Sequence, residues 1–132
     1  METITPQIIE LEEAQVRAFN EGNVDNILDF FYPDIVGFSS TKHDRIAGLQ
    51  ALRETFEFYL KEAEKIDYQI FEPTVQVFGE TAVIAFYWEV KLTRASHTQS
   101  IKGRGSHVYA KVDGQWKIVH EHFSRAHHHV EK

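Results

Sequence analysis

Gly103-Arg-Gly-Ser-His-Val-Tyr-Ala-Lys-Val112, Asp113-Gly114, Gln115-Trp-Lys-Ile-Val-His-Glu-His-Phe-Ser124 is the stretch that decides the fold. Both flanks are rich in β-branched and aromatic residues, and the Asp-Gly pair between them suits a tight turn with positive φ at both central positions. The stretch therefore reads as a β-hairpin with strands over Gln99–Val112 and Gln115–Ser124. It also carries the densest polar chemistry of the chain, in His107, Tyr109, His120, Glu121 and His122.

Working outward, two more strands precede the hairpin, over Tyr68–Phe78 and Thr81–Arg94. Gly79-Glu80 makes a tight turn between them, and Ala95–Thr98 a looser one before the hairpin. Pro73 implies a bulge or an edge position, because a central strand cannot spare its amide. Upstream of Asp67 the apolar period is helical. Thr5 and Pro6 suit an N-cap and first helical position, Ile8, Ile9, Val16 and Phe19 form an apolar stripe among Glu10, Glu12, Glu13 and Arg17, and Gly22 ends it, which predicts a helix over Pro6–Glu21. Asn23 or Asp25 caps a short second helix carrying Ile27, Leu28, Phe30 and Phe31, which Pro33 stops. Asp34–Ser40 reads as a short strand running into a polar loop through Lys42, His43, Asp44 and Arg45. Leu52, Phe56, Tyr59, Leu60 and Ala63 predict a third helix over Leu49–Lys65, with Gly48 before it. The sum is one α+β domain spanning residues 1–132, three helices packed on an antiparallel sheet, with a frayed tail from Ala126 to Lys132.

Bulk properties narrow the function. The chain has 132 residues and no cysteine, which excludes thiolate zinc sites and cysteine nucleophiles and is compatible with a reducing compartment, the cytoplasm by default. Its formal charge of −6 argues against nucleic acid as a partner, and no apolar run is long enough for a membrane span. Aromatics make up 13% of the residues, ten of them Phe, which suggests a broad apolar interior or a cavity.

Face assignment is only partly readable. Ala82, Ile84, Phe86, Trp88, Val90 and Leu92 alternate cleanly and face inward. On the next strand Gly103, Gly105, His107 and Tyr109 share one face and Arg104, Ser106, Val108 and Ala110 the other. On the last, Trp116, Ile118, His120, His122 and Ser124 oppose Lys117, Val119, Glu121 and Phe123. Neither strand has a uniformly apolar face, so the outer surface is expected to pack on a second copy in a homodimer.

The Gly-Asn between the first two helices, Tyr-Pro-Asp entering a strand, Gly-Leu-Gln-Ala-Leu-Arg opening the third helix, and the closing hairpin together resemble the nuclear transport factor 2-like superfamily. Within it the chain is most similar to SnoaL-like proteins and to the association domain of calcium/calmodulin-dependent protein kinase II. The resemblance covers nearly the whole chain and implies a cone: a bent antiparallel sheet of the cystatin-like type wrapped round a long helix, a pocket between them, and homodimers through the sheet. The ketosteroid isomerase triad of the superfamily would fall at Gln15, Ser39 and His107, and all three residues differ from it. The pocket arginines of the kinase association domain would fall at Trp88, His107 and Phe123, none of them arginine here. Both comparisons put His107 and Phe123 inside, which makes the pocket floor Trp88, His107, Tyr109, Glu121 and Phe123.

His107 with Glu121 on the neighbouring strand forms a candidate acid–base pair, or else a buried pair with a structural role. Tyr32, Phe38 and Tyr59 are core residues or pocket walls. Arg104 braces a partner if it faces out, and clamps an anion if a bulge at Gly103 and Gly105 turns it in. His120 and His122 share a strand face and could ligate a metal with His97, but a zinc site needs three or four converging ligands, so no metal is assigned. His127, His128 and His129 form a tract in the tail. No cofactor is called for. Two functions stay open: binding, with or without isomerase-, cyclase- or dehydratase-type conversion, of a small apolar or weakly polar ligand, and assembly without catalysis.

Overall fold

The computed structural model describes residues 3–126. Helix α1 (Ile4–Glu21) is followed by α2 (Val24–Leu28), β1 (Phe31–Phe38), β2 (Ile46–Ala47), α3 (Leu49–Leu60), β3 (Lys65–Phe78), β4 (Thr81–Arg94), β5 (His97–Val112) and β6 (Gln115–Arg125). The strands form one six-stranded sheet in the order β2-β1-β6-β5-β4-β3. Its long strands make the expected meander, and Asp113 and Gly114 take φ of 51° and 81°, the positive pair that the closing turn requires. The sheet curves over the helices in the cystatin-like manner and buries Ile8, Phe19, Ile27, Leu52, Ile84 and Ile118.

Several boundaries differ from the sequence reading. Helix α1 starts at Ile4, so Pro6 lies within the first turn, where its missing amide has no intrahelical partner to lose. Gly22 ends the helix with φ 75° and donates its amide to the Phe19 carbonyl. Asn23 caps α2 by accepting from the Asn26 amide. That helix stops at Leu28, and Phe31 opens a strand instead of continuing a helix: the Phe30 carbonyl accepts the Ile118 amide at 2.9 Å, and Phe31 pairs with Ile118 of β6. Strand pairing there overrides local helical preference and adds one parallel pair, β1 with β6, to an otherwise antiparallel sheet. Residues Ile46 and Ala47 form a two-residue strand on β1 where no strand was expected. Helix α3 ends at Leu60, and Lys65 already belongs to β3. The turn at Ala95-Ser96 is tight, with Arg94 opposite His97.

Pro73 sits on β3, at the sheet edge, within a bulge between the pairs Phe71↔Tyr87 and Thr74↔Ala85. A second bulge explains why β6 showed no clean alternation. Tyr109 pairs with Ile118 but Val108 pairs with His120, so Val119 is an extra residue. Side-chain parity flips there: Ile118 is buried before the bulge and Glu121 after it. The expectation that Ile118 shares an outer face with His120 and His122 is therefore corrected. Of the tail, Ala126 donates its amide to the Lys102 carbonyl, while His127, His128 and His129 lie outside the described residues.

Helix α1 is fixed across the sheet by Asn20. Its amide nitrogen donates to the Tyr68 carbonyl at 2.9 Å and its oxygen accepts the Tyr68 amide at 2.8 Å, as a neighbouring strand would. This pins the C-terminal half of α1 to β3 and sets Glu12 and Gln15 over the concave face.

Candidate functional site

Ile8, Glu12, Gln15 and Phe19 recur at helical spacing and are all buried on the sheet-facing side of α1. A carboxylate on such a stripe needs partners, since an unpaired charge in a low-dielectric interior is strongly unfavourable. It finds them on β5. Both oxygens of Glu12 lie 2.8 and 2.9 Å from His107 Nδ1, and Oε1 also accepts the Tyr109 hydroxyl at 2.9 Å. On the other side of the ring, His107 Nε2 lies 2.9 Å from Oε1 of Glu121 on β6. His107 and Glu121 are directly opposed across β5 and β6.

With carboxylates on both sides, each ring nitrogen must donate, and only the imidazolium has two donors. Burial is the largest single influence on His107 and pushes its pKa down. The charge and hydrogen bond of Glu12, with those of Glu121, together outweigh it and raise the pKa from 6.5 to about 10. Burial and then the charge of Glu12 also hold the Tyr109 hydroxyl well above its ordinary range, so it remains a donor. Glu12 is closed off by His107 and Tyr109. Glu121, 5% exposed, has its second oxygen unbonded among the described residues.

Between α1, α3 and the concave sheet lies a cavity of about 320 Å³. Its walls include Phe19, Phe56, Tyr59, Val90, Ile101 and Phe123, its inner end carries Gln15, Ser39, Tyr68, Trp88, His107 and Glu121, and Arg94, Gln99 and Arg125 stand at the rim. Two glycines make room for it. A Cβ on Gly103 would collide with the Trp88 indole and the Ser124 carbonyl, and one on Gly37 of β1 would lie 2.7 Å from Glu121 Cγ. The indole thus packs directly on β5 at Gly103, and the Glu121 side chain on β1 at Gly37.

Among the residues singled out from sequence, His107, Glu121, Trp88, Phe123 and Tyr59 line the cavity. Tyr109 does not: it is fully buried beneath the cavity and serves Glu12. Tyr32 and Phe38 are also outside the lining, and Phe38 packs on His122 of the outer face with ring centroids 5.5 Å apart. Arg104 is exposed opposite Tyr87 on the convex face, and no bulge at Gly103 or Gly105 interrupts β4–β5 pairing to turn it inward. His97 cannot join His120 and His122. It lies nine residues along β5 from Ser106, the partner of His122, or about 30 Å in an extended strand. Gln15, Ser39 and His107, the positions matching the isomerase triad, all line the cavity, as do Trp88, His107 and Phe123. The residue that sequence reasoning missed is Glu12, grouped there with Glu10, Glu13 and Arg17 between the apolar positions of α1. Its signal was its spacing, four residues after Ile8 and seven before Phe19.

The fold and this cone-shaped cavity define a nuclear transport factor 2-like protein, and solved structures of that class superpose closely. A candidate calcium/calmodulin-dependent protein kinase II association domain from Xanthomonas campestris is 25% identical, with a TM-score of 0.82 over 92% of this chain and 86% of that one. A candidate dehydratase from Streptomyces avermitilis is 12% identical, with a TM-score of 0.83 over 94% and 97%. The association domain of Caenorhabditis elegans CaMKII is 18% identical, with a TM-score of 0.74 over 91% and 94%. Within the class the chain belongs to the SnoaL-like domain family, whose profile matches residues 8–128. No curated protein matches the sequence. Among the described residues no helix is long and apolar enough to cross a membrane.

Proposed function

We propose that this domain binds a small, largely apolar organic molecule in its cone and that Glu121 is the group that exchanges a proton with it. The observation that carries the reading is the asymmetry of Glu121: one oxygen is held by His107 at 2.9 Å, and the other is unbonded on the cavity wall. His107 donates through both nitrogens, so its role is to orient Glu121 and hold a fixed positive charge beside it while Glu12 and Tyr109 hold the ring. An aromatic wall with few polar groups is the ordinary make-up of a small-molecule site, and about 320 Å³ is at the lower end of the volume range for such sites. A candidate dehydratase among the structures of the same fold is in keeping with acid–base chemistry.

Native mass spectrometry of the purified protein tests the reading directly. A co-purified small molecule that is retained by Glu121→Gln, with any conversion lost, is the expected outcome. Protein that arrives empty and that binds none of a panel of ring-sized apolar compounds would refute it.

We further propose a homodimer through the convex face, as the similarity to association domains suggests. Val36 (39% exposed) and Tyr87 (55% exposed) lie on that face, Val36 beside His120 and Tyr87 beside Arg104, with His122 between the two pairs.

A further inference from the structure

Arg125 closes β6 on the concave face. It stands directly opposite Gly103, which in turn faces Trp88 on β4, so this row of the sheet runs from the indole across a glycine to the arginine. Arg125 lines the mouth of the cavity and is half-buried. Arg17, Arg53 and Arg94 each meet a carboxylate, of Glu10, Asp25 and Glu62. Arg45 and Arg104 meet none but are exposed, so water solvates them. Among the described residues Arg125 is therefore the one arginine that is partly withdrawn from solvent without an acidic partner, in a chain with 20 acidic side chains to choose from. A charge drawn out of water and left unpaired is unfavourable, and it attracts an anion that can reach it.

We infer that the ligand of the cone is an amphipathic carboxylate, bound with its apolar body inside and its carboxylate at the mouth on Arg125. The inference rests on the small-molecule reading above and adds the chemical class of the ligand and the direction in which it lies. Charge sets the direction. At the inner end Glu12 and Glu121 flank one imidazolium, an excess of negative charge that repels an anion. Of the cations that line the cavity, His107 is closed off by those carboxylates and Arg94 is engaged by Glu62, which leaves Arg125 open to a ligand. A single guanidinium matches a monoanion, and its planar fork matches the two oxygens of a carboxylate. Size follows from the strand. Glu121 and Arg125 lie on one face of β6, opposite His107 and Gly103, and their separation along an extended strand is about 13 Å. Phe123 stands between them on the cavity wall. A ligand that reaches both carries one ring and a short chain.

The test uses phenylbutyrate and phenylbutanol, which share a ring and chain length and differ in charge, with binding measured by calorimetry at neutral pH on the full chain. Wild type is expected to bind the acid about tenfold more tightly than the alcohol. Arg125→Gln is expected to abolish that preference and to leave the affinity for the alcohol unchanged. Arg17→Gln, which removes the same charge from the exposed side of α1, is expected to keep the preference whole. If Arg125→Gln folds poorly, Arg125→Lys stands in: it keeps the charge but loses the fork, and is expected to weaken the acid several-fold and the alcohol not at all. Equal affinity of wild type for acid and alcohol, a preference that survives both changes at Arg125, or one lost equally in Arg17→Gln overturns the inference and leaves the apolar site in place. If neither probe binds, the inference falls, and if the panel of ring-sized apolar compounds also fails to bind, the small-molecule reading falls with it.

Discussion

Alkaline pH is expected to unload His107 and, with it, much of the stability of the fold. The imidazole titrates at 6.5 in an unperturbed setting and at about 10 in the folded protein, a difference worth about 5 kcal/mol. Because the folded value is the higher one, this contribution is complete below pH 6.5 and is lost as pH rises from there towards 10. One proton bound in the native state and absent from the unfolded one gives a slope of about −1.4 kcal/mol per pH unit, so stability falls by about 3 kcal/mol between pH 7 and 9. Against a typical domain stability of about 5–15 kcal/mol that change is large. Urea unfolding at several pH values gives the slope, and the ring carbon-bound proton resonances of His107 give its titration directly. Glu12→Gln supplies the internal control: it keeps a hydrogen-bond acceptor at the same place but removes the strongest upward influence on the ring, so the slope flattens and the His107 midpoint drops. Stability that is flat from pH 7 to 9, or an imidazole midpoint at or below 6.5, would refute the placement of His107 between two carboxylates.

Other substitutions test separate parts of the structure. Gly103→Ala forces a Cβ into the Trp88 ring and the Ser124 carbonyl, and overpacking of this kind is expected to remove about 1–3 kcal/mol of stability by thermal unfolding and to weaken ligand binding as the indole shifts. Tyr109→Phe keeps the ring but takes a donor from Glu12, for a loss of about 2 kcal/mol with ligand affinity unchanged, because Tyr109 lies outside the cavity lining. Tyr87→Glu on the convex face is expected to shift sedimentation from dimer to monomer without changing the circular dichroism spectrum. A dimer that persists through this change would place the interface elsewhere.

How much of this was legible in the sequence follows from the range of the forces involved. The Asp113-Gly114 turn and the Pro73 bulge are written locally, in residues whose backbone preferences allow few alternatives, and both were read correctly. The start of β1 at Phe31 was not, because it depends on a parallel partner at Ile118, 87 residues away, that outweighs the helical appearance of Ile27 to Phe31. The facing of β6 was hidden by one inserted residue: Val119 reverses the alternation, so a period-two reading fits either half of the strand but never both. The family resemblance recovered the second half, which carries Glu121 and Phe123.

Glu12 is the more instructive omission. Read within its own helix, it is one of several acids, and helix propensity does not separate an acid facing solvent from one facing the core. Its position on the stripe between Ile8 and Phe19 does separate them, given one further constraint: a carboxylate that must be buried demands a cationic or donor-rich partner on whatever packs against that stripe. The inward positions of β4 and β5 are Ala82, Ile84, Phe86 and Trp88, and Gly103, Gly105, His107 and Tyr109. Only His107 among them can carry positive charge, and only Tyr109 beside it can donate a hydroxyl. The hairpin that sets the fold thus also contains the one pair of residues able to receive Glu12. That pairing, made across 95 residues of chain, leaves Glu121 as the carboxylate with an oxygen to spare.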